Sequence, residues 1–386
     1  MPDHWQSGAF SVVGLGVTEQ GRRLGVPPRE LRRRALDAAL ADAGVERRSV
    51  DGYIGTSSEA FDDVRYLGLA PHFAWTMQAG GATAIWSVLN AIGAILTGQA
   101  TTVACVYGTA PTAHRGPGYG GFRYGYPALY GLIGAAGAHA LHARRHMHRY
   151  GTTVEHLGAV AVAQRAHAAV RPGTLGYGAP ITLDDHRESA LVVDPFRRLD
   201  CCRDTDGGVA LLVTTTERAR DLPGRSVPIL GLGTGHNLRN WWTGEVYDHH
   251  DDVATAKATA FARAGIEVGD IDVAALYDPF TISPIMQLEA YGFCAPGEGG
   301  PLHAAGQTTV GGLIPTNTGG GQLSGYYAAG FTAIVEGILQ MRGDGGATQV
   351  PGAEVALVTG HGGNGGVQNT WSHATMLLGA ALPGAA

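Results

Sequence analysis

The sequence predicts an α/β protein made of two similar halves, each a βαβαβ-type unit, and three observations predict it. Residues 39–51, ALADAGVERRSVD, align without a gap with residues 260–272, AFARAGIEVGDID. Two glycine pairs, Gly80-Gly81 and Gly320-Gly321, are each followed by a helical stretch, a loop and an apolar strand. Each half also opens with a similar strand, SVVGLGV at 11–17 and VPILGLG at 227–233. A period of about 220 residues marks duplication of a whole unit, far longer than the repeat of a solenoid.

In chain order, the strand at 11–17 leads into a helix that ends at Ala43-Gly44, where glycine takes the left-handed turn that stops a helix. GYIGTS (52–57) is the next strand. The helix after Gly80-Gly81 runs to Leu96; its apolar part is interrupted by Ser87, Asn90 and Gly93 and is too short to span a membrane. A strand at 102–107 follows. Residues 108–150, rich in Gly, Tyr, His and Arg, and the connection 171–207 are long insertions, and insertions of that length carry function. Val209–Thr214 closes the half. The second half repeats the order: strand 227–233, helix ending at Gly265, strand VAALYDPF (273–280), helix from Gly320-Gly321 to Met341, strand 354–359. The halves divide as 1–220, with the inserted region at about 108–205, and 221–386. Right-handed crossovers bury both sheets against helices.

Composition narrows the function. Of 386 residues, 45% are hydrophobic and 16% charged, which excludes disorder. A net charge of −6 gives no reason to expect nucleic acid as a partner. Cys105, Cys201, Cys202 and Cys294 are irregularly spaced, as free thiols of a reducing, cytoplasmic compartment are. The amino terminus has no signal-peptide pattern. GLGVTEQG is not a dinucleotide fingerprint, and no P-loop is present. Lys257 is the sole lysine, on a helix leading away from the glycine loops, which argues against a Schiff base. His139, His142, His146 and His148 share a stretch with Arg144, Arg145 and Arg149, whose charge opposes a metal; the helix reads as a cationic face. No resident metal or cofactor is expected. His373 and Tyr326 read as packing residues.

Several segments together resemble the thiolase superfamily over almost the whole length. YDPFTISPIMQLEAYGFCAPGEGG (277–300) is similar to the HDCF segment of sterol-carrier-type thiolases, NTGGGQLSGYYAAG (317–330) to the thiolase N-x-x-G-G-x-L-S-x-G-H-P-x-G loop, and TGHGGNGG (359–366) to the C-x-G-G-G-x-G loop. ITLDDHRESALVVDPFRRLDCCRDTDGGVALLVT (181–214) resembles the middle of lipid-transfer-protein-like members. The resemblance implies the layered α-β-α-β-α thiolase fold and a homodimer. The departures are informative. Gln78 stands where the nucleophilic cysteine belongs, Tyr327 and Tyr277 replace two histidines, and His361 falls near the second cysteine. This pattern resembles the steroid side-chain-cleaving retro-aldolase branch, which carries Gly-Gly as at Gly80-Gly81 and the counterparts of Tyr277, Asp278 and Tyr327. That likeness implies a β-hydroxyacyl-CoA steroid substrate, a 17-ketosteroid and propionyl-CoA as products, and a small OB-fold partner resembling an acyl-CoA-binding protein.

The chemistry is self-consistent. Retro-aldol cleavage needs a base for the β-hydroxyl proton, stabilisation of the thioester enolate and an acid for the α-carbon, with no covalent step. Tyr277 and Tyr327 are the expected acid–base pair, in either order; Asp278 assists them, or forms a turn before Pro279. Asn317 and His361 are candidates for the thioester oxygen, with loop fixation as the other role of each. Gln78, Gly80 and Gly81 complete the expected substrate site, and coenzyme A enters only as part of the substrate.

Overall fold

The computed structural model describes residues 6–56, 60–113, 128–237, 251–362, 371–382 and 384. The tyrosine-rich part of the first insertion at 114–127 and the 363–366 end of TGHGGNGG lie outside the described residues.

Apolar residues run continuously along the strands, so both sheet faces are buried. In β1 (Phe10–Val17), Val12 joins one core and Val13 another. One sheet of nine strands results, in the order β3 (Phe73–Thr76), β2 (Gly52–Gly55), β4 (Thr102–Thr109), β7 (Gly207–Thr215), β1, β8 (Val227–Asn237), β11 (Trp371–Gly379), β10 (Val355–Gly362), β9 (Val273–Ala275). β1 and β8 pair antiparallel over three residues. About that junction the order β1–β7–β4–β2 is mirrored by β8–β11–β10–β9, which is the duplication made visible.

Two helices occupy the middle. Ile85, Val88 and Ile92 of α3 (Thr83–Leu96) and Phe331, Ile334 and Ile338 of α11 (Phe331–Arg342) share one core with strand residues of both halves. The opposite faces are covered by α1 (Pro28–Ala43) in the first half and by α8 (Asp251–Ala264) and α9 (Ile282–Tyr291) in the second. The layers are therefore α-β-α-β-α. Three further helices are short: α2 (Ala60–Tyr66), α7 (Thr216–Ala219) and α10 (Gly299–Ala304). No helix among the described residues is long and apolar enough to cross a membrane.

The inserted region forms α4 (Gly134–Tyr150), α5 (Val154–Ala169), α6 (Leu183–Glu188) and the hairpin of β5 (Leu191–Val193) and β6 (Phe196–Arg197). Its Ala140, Ala143, Leu157, Val160 and Phe196 bury against Phe280, Ile282 and Ile285. The insertion is thus docked where the YDPF segment leaves the sheet. Buried Asp200 ties the two together: it accepts hydrogen bonds from the Thr281 hydroxyl (2.7 Å) and pairs with His186 (2.8 Å).

Two elements differ from expectation. The strand predicted at 273–280 leaves the ladder after Ala275, because side chains take over its amides: Leu276 N donates to Asn317 Oδ1 (2.7 Å) and Tyr277 N to Thr359 Oγ1 (2.9 Å). The helix predicted from Gly320-Gly321 begins only at Phe331. A single π-helical turn, Gly321–Gly325, comes first and ends at extended Tyr326. Tyr327 therefore precedes α11 by four residues rather than lying within it.

Candidate active site

The site is built where YDPF leaves β9. Tyr277 is gripped by its backbone: Thr359 Oγ1 accepts its N–H, Gln287 Nε2 donates to its carbonyl (2.7 Å), and Thr359 donates to Gln287 Oε1 (2.5 Å). This closed ring of bonds fixes the direction of the ring and hydroxyl. The Tyr277 hydroxyl lies 3.5 Å from that of Tyr327. Tyr327 is held by its own N–H, which donates to Thr205 Oγ1 (3.1 Å).

Gly81 lies against this pair. An added Cβ would fall inside the Tyr277 ring and against the His361 carbonyl, so no residue with a side chain fits. Gly80 takes a left-handed φ of 58° just before it. Gln78 is exposed and donates to the Thr56 carbonyl (3.2 Å). The structure thus gathers Tyr277, Tyr327, Gly81 and His361.

Asp278 points away from Tyr277, as successive extended residues do. Its carboxylate accepts Gln322 N (2.8 Å) and Leu323 N (3.3 Å), bonds that hold the π turn. Burial pushes its pKa up to about 7, against the lowering effect of those amides. Beside it a cavity of about 450 Å³ is lined by Asp278, Asn317, Tyr326 and the Arg171–Glu336 pair. Asn317, with a left-handed φ of 50°, fixes its loop through Oδ1, while its buried Nδ2 has no partner among the described residues. Both roles read for Asn317 therefore have a group to serve them.

Nearby thiols are poor nucleophiles. Burial, and then Asp200, push Cys201 up to about 12; burial, and then Asp278, push Cys202 well above its ordinary value. Lys257 donates to the Tyr291 carbonyl (2.6 Å), a partner on the outer helix α9.

Of the histidine stretch, His146 is buried between Thr152 (2.7 Å) and Glu289 (2.9 Å). His139 reaches the site: its ring lies 4.5 Å from that of Phe280, and burial, with a smaller effect of nearby His361, pushes it down to about 4. Sequence reasoning did not separate these two histidines. Only helical phase relative to Phe280 distinguishes them, and that depends on how the insertion docks. A cationic cluster also went unread. Burial, and then Arg198 and Arg22, depress Arg203; burial, and then Arg203, depress Arg165. The cluster adjoins Tyr327, since Thr205, which holds it, also bonds the Arg203 carbonyl (3.1 Å).

A profile of the thiolase C-terminal domain-like family matches residues 246–380. The chain is similar to a steroid side-chain-cleaving aldolase of Thermomonospora curvata, 36% identical over 356 residues, 87% of this chain and 91% of that one. It is similar to a 17-hydroxy-3-oxo-4-pregnene-20-carboxyl-CoA lyase of Mycobacterium tuberculosis, 35% identical over 92% of this chain and 96% of that one. Among solved structures, the Ltp2-ChsH2(DUF35) aldolase superposes with a TM-score of 0.87 at 34% identity, covering 97% of this chain and 99% of that one. Human mitochondrial 3-ketoacyl-CoA thiolase shares the fold alone, with a TM-score of 0.67 at 13% identity, over 96% of this chain and 98% of that one. By this likeness along nearly its full length, the chain belongs to the steroid side-chain-cleaving aldolase family of the thiolase superfamily.

Proposed function

We propose that the protein is a carbon–carbon lyase that cleaves the side chain of a β-hydroxyacyl-CoA steroid by a retro-aldol reaction, releasing a 17-ketosteroid and propionyl-CoA or a similar short acyl-CoA. The observation that carries this reading is the pair of tyrosine hydroxyls 3.5 Å apart, beside a glycine and without a thiolate. The compound named by the M. tuberculosis relative has its hydroxyl on the carbon next to the one that is α to the thioester, as a retro-aldol step requires.

One tyrosine, as phenolate, takes the hydroxyl proton. The Cα–Cβ bond breaks, its electron pair passes to the thioester as an enolate, and the carbinol carbon becomes the ketone. The other tyrosine delivers its proton to Cα. The pair then differs from its starting state only in which oxygen carries the proton, and a single transfer between the neighbouring hydroxyls resets it. Asn317 Nδ2 and His361 are assigned to the thioester oxygen. Asp278 positions the π turn that leads to Tyr327. Gly80, Gly81 and Gln78 line the acyl end. The arginine cluster suits the phosphates of coenzyme A, because gathered like charges are relieved by a polyanion.

The partner is proposed to be a small OB-fold, acyl-CoA-binding-type protein, supported by a structural neighbour solved together with ChsH2(DUF35). A homodimer is proposed from the thiolase fold. Four free cysteines agree with a reducing cytoplasm.

The test is substrate turnover by the purified complex. Tyr277→Phe and Tyr327→Phe are each expected to lower kcat at least about 100-fold, as loss of an acid or base does, while steroid-CoA binding stays near that of the parent. Near-normal release of ketone by both variants would refute the proposal.

A further inference from the structure

A group of side chains next to the tyrosines has no part in the reaction just described as a set. β10 and β11 pair so that His361 stands directly opposite His373, and opposed residues on paired strands share one face. α8 lies on that face unusually close to the sheet. Gly231, Gly233 and Gly235 of β8 lie beneath it, and a Cβ on any of them would collide with the carbonyls of Ala260, Ala256 and Asp252 respectively. His373 is the register partner of Gly235. The glycine stripe therefore lowers the first turn of α8 onto the histidine pair and brings Asp252 with it.

The ligand atoms of Asp252, His361 and His373 all lie within 4.8 Å of one another. His361 Nδ1 is 3.1 Å from His373 Nδ1 and 3.6 Å from Asp252 Oδ2. The second distance is too long for a hydrogen bond. Both are near the separation of about 3.4 Å expected between two donors that share one tetrahedral zinc-sized ion at its usual bond lengths. Asp252 is 2% exposed and His373 fully buried, whereas the His361 side chain is 22% exposed, so the cluster opens on one side. An outer partner is present too. His373 Nε2 is 2.8 Å from the Tyr291 hydroxyl, which also bonds Thr375, and this orients the imidazole with Nδ1 toward the cluster. The opposed strands and the stripe form from distant parts of the chain, which is why no spacing motif announces them.

We propose that Asp252, His361 and His373 form a binding site for one divalent transition-metal ion, of the two-imidazole, one-carboxylate type that suits zinc and leaves a coordination position open on the His361 side. The site goes beyond the proton-transfer reading and shares only His361 with it. The ion joins α8 to the β10–β11 pair next to the Tyr277 ring, whose neighbour Gly81 also touches the His361 carbonyl.

The experiment uses the full-length chain without a histidine tag, stripped with a chelator and titrated calorimetrically with zinc chloride. Cobalt is used in parallel to read the ligand-field spectrum. The expected result is one equivalent bound, a four-coordinate cobalt spectrum and a rise in Tm with zinc. His361→Ala, at the exposed side, and Asp252→Asn are each expected to weaken binding at least about 100-fold while keeping the parent's circular dichroism. Tyr277→Phe is expected to bind as the parent does, which separates this site from the tyrosine mechanism. Absence of a stoichiometric zinc isotherm in the parent, or unchanged binding in both His361→Ala and Asp252→Asn, would overturn the proposal.

Discussion

Asp278 shows how much a single burial decides. Its carboxyl is 1% exposed, and its pKa rises to about 7 because burial disfavours the charged form more than the Gln322 and Leu323 amides favour it. The folded chain therefore holds this proton to a higher pH than the unfolded chain, whose carboxyl loses it near 3.8. The stabilisation is fully present below that value and is lost as pH rises through about 7. Against Asp278→Asn, which cannot ionise, the difference in Tm between parent and variant is expected to shrink as pH is raised from 4 to 8, and thermal melts across that range check it. A difference that stayed flat or grew would show the carboxyl to be ionised throughout. At this scale the tyrosines were legible, because each stands in a motif where a histidine is expected. The setting of Asp278 was not, since its bonds come from residues 44 and 45 positions away. Asp252 was not legible either: its neighbours His361 and His373 lie more than a hundred positions on, so spacing rules have nothing to detect.

Among the elements, α3 and α11 decide the shape of the site. Both begin near the tyrosine pair: a Cβ on Gly330, the N-cap of α11, would meet the Gly81 carbonyl, and one on Gly81 would meet the Tyr277 ring and the His361 carbonyl, so neither position has room for a side chain. Gly81 does not use the left-handed region that glycine alone favours, so space and not backbone strain forbids a larger residue. For Gly81→Ala to fold, the Tyr277 ring and the strand at His361 must both give way, so a lower Tm and a loss of at least about 100-fold in turnover are expected, the scale of a misplacement of about 1 Å. Retained circular dichroism with lost cleavage is the outcome sought; full activity would mean the ring does not work from this position. Helices with a stop signal were legible to within a residue, as at Gly44 and Gly265, because the signal is local. The start of α11 was not. The π turn ahead of it is held by Asp278, so the delay depends on tertiary bonding and leaves no local pattern.

The whole molecule is two copies of one unit, but not two independent bodies. α3 of the first half and α11 of the second bury each other and the inner faces of both half-sheets in one core. Fragments 1–220 and 221–386 made separately are each expected to lack a cooperative thermal transition, and mixing them is expected to restore one; calorimetry checks both. A fragment that melts cooperatively alone would contradict the shared core. Duplication was readable from the repeat because equal helices and strands need equal patterns. The joining of the two half-sheets through β1 and β8 was not, since that contact covers three residue pairs. The two ends of this sheet differ in one further respect. The outer side of β9 is already occupied: Ala274 N donates to Pro315 O (2.9 Å) and Asn317 N to Ala274 O (2.9 Å). β3 at the far end has no described strand beyond it and carries Trp75 at 54% exposure. Among the described residues, then, an incoming strand would find backbone groups still to be paired at the β3 end and a ladder already filled at the β9 end.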